Sequence, residues 1–280
     1  MPTCIFCNNP SGSREHVWPK WLLERKDLGP FRLKIGNDQE KVIDVELQVK
    51  TVCGKCNNGW MSDLEAEAKP ILEQMFDDKP ISLDQKQQEI IARWLMKTAM
   101  VYDSVKGRAA PNLFYRKDEC VALREHGHIP QPTMMWIGRL DEVHRSIWGM
   151  DFTRQSDEGH INCTVVTLTN ENFVAQVVSL HLPRTPTATT KIPMEHKYGE
   201  LDSSLSQLWP PKTSALTWPP ATSFTNGGVN GYAYLLDRWR IGTESDGPIL
   251  PPRRQNESCW HSALLDGRPR TWISRGRPPS

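Results

Sequence analysis

No part of this 280-residue chain approaches the ~18 consecutive apolar residues that a membrane-crossing helix needs. The amino terminus lacks the apolar core of a signal peptide, because a Cys-x-x-Cys pair stands in its place. A soluble, cytoplasmic protein with no membrane partner is therefore expected. Neither sign of charge is in real excess: 34 Lys and Arg balance 33 Asp and Glu, for a formal net charge of +1. That balance excludes a globally basic nucleic-acid binder and leaves any attraction for phosphate to a local patch. No internal repeat is evident, which argues against solenoid and propeller architectures. Hydrophobic content is low for a globular chain at 38%, and the length admits two ordinary domains or one with appendages. Cysteine is sparse and odd in number, seven in all, and four of the seven fall in two CxxC pairs. In a reducing compartment that pattern favours metal over disulfides. Cys120, Cys163 and Cys259 read as bystanders.

What is present concentrates at the amino terminus. Cys4-Ile5-Phe6-Cys7 and Cys53-Gly54-Lys55-Cys56 are two CxxC knuckles. Each presents two sulfurs from a tight turn, and two such turns can enclose one Zn²⁺ at about 2.3 Å per bond. Four thiolates on a zinc ion leave a formal charge of minus two, so a nearby cation such as Lys55 or Arg14 would help. Such a closed site contributes folding energy rather than chemistry. Between the knuckles lies Glu15-His16-Val17-Trp18-Pro19, and the second knuckle runs straight into Asn57-Asn58-Gly59. The carboxylate, imidazole and amide of these segments suit a second, catalytic ion. Trp18, Trp21 and Trp60 crowd the same region, where they either wall a small core or stack on bases. Packing is the commoner use.

The order CxxC, Glu-His-x-x-Pro, CxxC followed by Asn resembles the HNH endonucleases of the ββα-metal, treble-clef kind, in particular a zinc-stapled subgroup that includes phage Holliday-junction resolvases. The resemblance covers roughly the first 75 residues. It implies that His16 lies on the first strand of a hairpin and that a helix follows the last knuckle. It also implies that Asn57 joins Glu15 in binding the catalytic ion. Two departures stand out: Glu in place of the commoner Asp before the histidine, and a long interval from His16 to Cys53. Apparent extra strands at 31–35 and 42–52 fill that interval.

Hydrolysing a phosphodiester needs an activated water, a Lewis acid on the phosphate and stabilisation of the leaving 3′ oxygen. Histidine is the side chain whose ordinary pKa lies nearest neutrality, so His16 is the expected general base. Glu15 and Asn57 offer hard oxygen ligands to Mg²⁺ or another divalent ion. Neighbours on a flat strand point to opposite faces, so Glu15 and His16 can serve one point only across a bend or at a strand end. Asn58 is the alternative to Asn57, unless it makes a turn with Gly59. Lys20 and Lys55 are the expected phosphate contacts, with DNA the expected partner and RNA left open.

The rest of the chain divides by periodicity. Ser62 and Glu65 have the spacing of a capping box, predicting a helix with Leu64, Ala68, Ile71, Leu72, Met75 and Phe76 on one face, which Pro70 should kink or shorten. Ser82 and Gln85 predict a second helix running to Gly107. Short β-rich runs follow at 133–140, 146–152, 161–168 and 173–182, with 169–172 as a hairpin connection and the sheet packed on the second helix. From Pro183 onward lie 13 of the 22 prolines and two Trp-Pro-Pro triplets, so compact folding is doubtful there. Residues 251–280 carry six arginines against two acids, in a tail whose composition suits disorder.

The expected fold is α+β: a zinc nuclease module over residues 1–80, a long amphipathic helix over 81–110, an antiparallel β-rich region over 111–185 and a Pro/Trp/Arg-rich tail over 186–280. The expected function is metal-dependent DNA cleavage. The alternatives are a zinc-stabilised nucleic-acid-binding module that does not cleave, and a purely structural zinc scaffold. His126, His128, His144, His160 and His181 carry no ligand motif and are assigned no role.

Overall fold

The computed structural model describes residues 2–25, 31–35, 41–43, 47–106, 113–156, 159–182, 194–195, 204–223, 240–241 and 258–262. It is a mixture of helices and antiparallel sheets. Strand β1 (Ser13–His16) pairs with β4 (Gln48–Val52), while β2 (Phe31–Ile35) and β3 (Lys41–Ile43) occupy the interval between them. The expected strand over 42–52 is thus two strands. A short helix, α1 (Lys20–Leu23), begins directly after Pro19.

The helical run after the second knuckle begins earlier than its sequence signals. It opens as α2 (Gly54–Cys56), passes through a wide turn over Asn57–Met61 and continues as α3 (Ser62–Phe76). The expected capping box at Ser62 is therefore absent. Met61 before it already has helical dihedrals, and Glu65 turns away to a lysine on another helix. Pro70 lies within α3 without ending it. The reason is positional: Pro70 and Ala66, whose carbonyl loses its partner, both face solvent, where water satisfies the orphan oxygen. The six apolar residues of the predicted stripe are all buried.

The second helix, α4 (Gln85–Lys106), follows strand β5 (Ile81–Asp84). Its capping box is two residues beyond the expected one. Asp84 Oδ1 accepts from the Gln87 amide at 2.7 Å and Gln87 Oε1 accepts from the Asp84 amide at 3.0 Å. Ser82 is held in β5 instead, opposite Thr217. Gly107 lies outside the described residues. The helix is less amphipathic than its pattern implies, because Ile91, Trp94, Leu95, Lys97, Thr98, Val101 and Asp103 are all buried. It touches α3, β4, β5 and helix α5 (Lys117–His126), and it packs on the sheet as expected.

The four predicted β runs are two long strands, β6 (Thr133–Ser156) and β7 (Gly159–His181), paired along most of their length. The expected connection at 169–172 lies inside β7, opposite Ser146, Arg145 and His144. The signal misread as a turn marks a bend: the register shifts between Arg139 and His144, and Glu171 sits at φ 53°. Arg25 Nε donates to the buried Glu171 carboxylate at 2.8 Å, and Arg145 spans from Asn170 Oδ1 to the Leu22 carbonyl, each at 2.8 Å. The bend thereby receives the segment around α1.

Strand β6 carries β9 (Leu205–Trp209) and β12 (Ser258–Ser262) along its other edge, and β12 continues the sheet to β2 and β3. Strand β10 (Ala215–Trp218) pairs with β5, and a further pair joins β8 (Met194–Glu195) to β11 (Arg240–Ile241). The segment 204–223 is thus folded into the protein, with Leu208 and Trp218 fully buried, in contrast to the looseness expected after Pro183. The Trp-Pro-Pro triplets place their tryptophans in these strands. The arginine-rich stretch expected to be disordered lies almost wholly outside the described residues. Among the described residues no helix is long and apolar enough to cross a membrane.

One core runs from the cysteine knuckles through α3 and α4 to the inner face of the hairpin, where Ile137, Ile147, Val166, Leu168, Phe173 and Val177 alternate inward. The outer face carries a smaller cluster of Trp136, Cys163, Val165, Val178 and Leu180.

Candidate functional site

The two knuckles converge. The sulfurs of Cys4, Cys7, Cys53 and Cys56 all lie within 4.8 Å of one another, and all four residues are buried. Cys7 and Cys53 Sγ are 3.5 Å apart, near the ~3.8 Å that a tetrahedral site with zinc–sulfur bonds of about 2.3 Å requires. Backbone amides point at the sulfurs, from Phe6 to Cys4 at 3.4 Å, from Asn9 to Cys7 at 3.5 Å and from Cys56 to Cys53 at 3.4 Å. Such N–H donors stabilise thiolates. Burial opposes ionisation of Cys53, yet the Cys56 amide and the neighbouring sulfurs bring its pKa down to about 6. Burial pushes the Cys4 and Cys56 thiols up. A bound ion displaces whatever protons the sulfurs carry. The donor set fits a metal ion such as zinc.

No protein-family model, curated protein or solved structure matches this chain. The chemistry must therefore be read from the residues.

Asn57 extends the cluster toward β1. Its Nδ2 donates to Ser13 Oγ at 2.9 Å and to the Arg14 carbonyl at 3.2 Å, tying the first turn after the knuckle to the strand that carries Glu15 and His16. The exposed Asn58 makes no such link. Gly59 relaxes the helical run at φ −106° and ψ −116°, without the positive φ anticipated for an Asn-Gly turn. Strand β1 has a register shift between Ser13 and Glu15, and His16 is its last residue. The irregular strand end that the Glu-His pair called for is present.

The two side chains nevertheless have different surroundings. His16 is half-buried, with Nε2 2.8 Å from Gln48 Nε2 on the partner strand. Glu15 is 5% exposed and faces α4, where Lys97 Nζ lies 3.8 Å from its carboxylate. Lys97 is itself fully buried and donates to Glu65 Oε1 of α3 at 2.6 Å. Burial raises the Glu15 pKa to about 7; Lys97 and His16 pull it down and Glu65 pushes it up. The result is a carboxyl held near its titration point beside a buried ammonium.

The expected phosphate contacts differ from each other. Lys20 is exposed and pairs with Glu24 at 3.5 Å, whereas Lys55 is exposed on the knuckle turn and makes no ion pair among the described residues. Trp18 is buried and Trp21 and Trp60 pack against the core, with Phe6 meeting Trp60 edge-on at 5.0 Å. Sequence reasoning missed Lys97, Glu65 and Gln48. Lys97 did leave a signal, a charge on the stripe formed by Trp94, Thr98 and Val101. It also missed Lys117 of α5, whose ammonium donates to the carbonyls of Cys4 and Cys7. Of the unassigned histidines, His126 and His128 are exposed. His181 bonds Glu119 at 2.9 Å and stacks on Phe114. Cys120 and Cys163 are buried outside the cluster.

Proposed function

We propose that this chain is a metal-dependent endonuclease of the HNH kind, hydrolysing phosphodiester bonds of DNA from a treble-clef finger stapled by structural zinc. The observation that carries the reading is the position of Asn57, which bridges the helix leaving the second knuckle to the strand bearing Glu15 and His16. Knuckle, hairpin (β1 and β4), knuckle and helix follow one another in the order the motif resemblance implies. His16, half-buried at the strand end, accepts a proton from the attacking water at Nε2, once that nitrogen exchanges the hydrogen bond it accepts from Gln48 Nε2 for one from the water. The Asn57 amide oxygen accepts no hydrogen bond among the described residues, and with Glu15 it supplies the ligands for a divalent ion. That ion, when bound, polarises the phosphate and stabilises the departing 3′ oxygen. Lys55 meets the phosphate backbone, and Lys20 does so at the expense of its pair with Glu24.

One observation favours a second reading. Glu15 is inward and beside Lys97 rather than open to solvent, which suits a finger that binds nucleic acid without cutting it. Incubation of supercoiled plasmid, single-stranded DNA and RNA with zinc-loaded protein in Mg²⁺ or Mn²⁺ separates the two. Cleavage should fall at least ~100-fold in His16→Ala while binding and folding persist. Equal cleavage by wild type and variant, or binding with no cleavage under any ion, refutes the nuclease reading.

A further inference from the structure

The four-cysteine cluster is served by cations from outside the amino-terminal module. Helix α5 begins about 60 residues past the second knuckle in sequence. Its first residue, Lys117, which is exposed, donates to the carbonyls of Cys4 and Cys7, two of the four clustered cysteines. One helical face onward, seven residues later, Arg124 is 26% exposed and has its Nε buried without a hydrogen-bond partner. Burial works against the Arg124 charge, while Glu125, Cys56 and Cys7 favour it. The helix is fixed in that pose from both ends. Glu119 accepts from the Arg116 amide at 2.8 Å at its start, and Gly127 caps its end at φ 65° over the Arg93 side chain. Cys120, between the two cations on the same face, and Leu123 beside it are buried.

We infer that α5 is a charge-compensating clamp on the tetrathiolate metal centre, anchored by Lys117 on the Cys4 and Cys7 carbonyls with Arg124 two turns along the same face, so that the helix is an outer part of that site and controls how firmly the metal is held. The inference rests on the metal assignment. A Zn²⁺ bound by four thiolates carries a net charge of minus two among buried cysteines, and an ammonium and a guanidinium nearby offset that charge although Lys117 is exposed and Arg124 is 26% exposed. Outer-shell partners of a metal site commonly govern affinity by 10- to 100-fold. The cations expected from sequence, Lys55 and Arg14, are both exposed and become the natural controls.

The test follows zinc release from the full chain into excess chromophoric chelator, together with zinc content by elemental analysis. Lys117→Met/Arg124→Met should release zinc at least ~10-fold faster than wild type, with Lys117→Arg retaining the wild-type rate and Lys55→Met/Arg14→Met changing it little. Should the double variant misfold, hydrogen exchange on wild type decides: stripping zinc should deprotect residues 117–126 along with the knuckles. Zinc-loaded wild type whose release is unchanged in the double variant, or whose α5 protection survives stripping, overturns the clamp alone. A wild-type chain that holds no zinc overturns the metal assignment and the clamp with it.

Discussion

Replacing Lys97 with Met should destabilise the protein in a pH-dependent way, and the size follows from its surroundings. The ammonium is fully buried, 2.6 Å from Glu65 and 3.8 Å from Glu15. Removing one partner of a buried ion pair costs about 3–5 kcal/mol, because the remaining charge is stranded. The pH dependence comes from Glu15. Its pKa is about 7 in the fold against an ordinary 4.5, so its ionisation works against the folded state. The difference is worth about 3 kcal/mol at ~1.4 kcal/mol per unit. That penalty is absent below pH 4.5, where the group is protonated folded or unfolded, and is complete above pH 7. Lys97 lowers this pKa, so its loss lifts Glu15 further and extends the penalty to higher pH. Urea unfolding of wild type and Lys97→Met without added divalent ions should therefore give a deficit near the top of that range, about 5 kcal/mol, at pH 8. At pH 5, where Glu15 is protonated in both folded proteins, only the contribution of the Glu65 pair remains. Adding Glu15→Gln to Lys97→Met should recover much of the deficit at pH 8. A deficit equal at the two pH values, or below ~1 kcal/mol at pH 8, refutes the argument.

Two further perturbations test the frame that holds this cluster. Stripping the metal should unfold the amino-terminal module, since its core includes all four cysteines; loss of the Phe6–Trp60 edge contact makes tryptophan fluorescence the direct readout, and an unchanged spectrum would count against a structural metal. Asp84→Ala should cost about 1 kcal/mol by thermal unfolding while Ser82→Ala costs a few tenths at most. The reverse order would mean that α4 is capped where its sequence first suggests.

The four-cysteine cluster was legible in the sequence because CxxC spacing is a local constraint: each knuckle brings its own two sulfurs together, and only the pairing of knuckles is long-range. Helix faces were legible for the same reason, and every apolar residue predicted for α3 is buried. Caps were less so. Ser62/Glu65 and Ser82/Gln85 have the right spacing, but Glu65 is taken by Lys97 and Ser82 by the β5–β10 pairing, both contacts distant in sequence. The bend at Glu171 imitated a turn, since Thr-Asn-Glu-Asn is turn-forming chemistry whichever structure it interrupts. The buried pair with Arg25 that accommodates its positive φ could not be read locally. The folded state of residues 204–223 escaped because proline content is a compositional signal, whereas β9 and β10 are fixed by edge pairing to β6 and β5.

These long-range contacts bear on what the amino-terminal motif is. In a self-contained finger, the carboxylate before the histidine would have its environment set within the finger. Here that environment is set by Lys97 of α4, and the metal knuckles rest on Lys117 of α5. The core is continuous across the same boundary, from Val17 and Trp18 through Leu72 and Trp94 to Phe173. Helices α4 and α5 therefore belong to the site physically, although nothing in their sequence resembles a nuclease. The electrostatics follow from this arrangement: a buried ammonium balances the acidic pair Glu15 and Glu65 on one side of the module, and the exposed Lys117 meets the Cys4 and Cys7 carbonyls on the other. Any charge change at Lys97, Glu15 or Glu65 alters the balance at the other two. The protonation of Glu15 is accordingly a property of the whole α4-centred fold rather than of the Glu-His dipeptide.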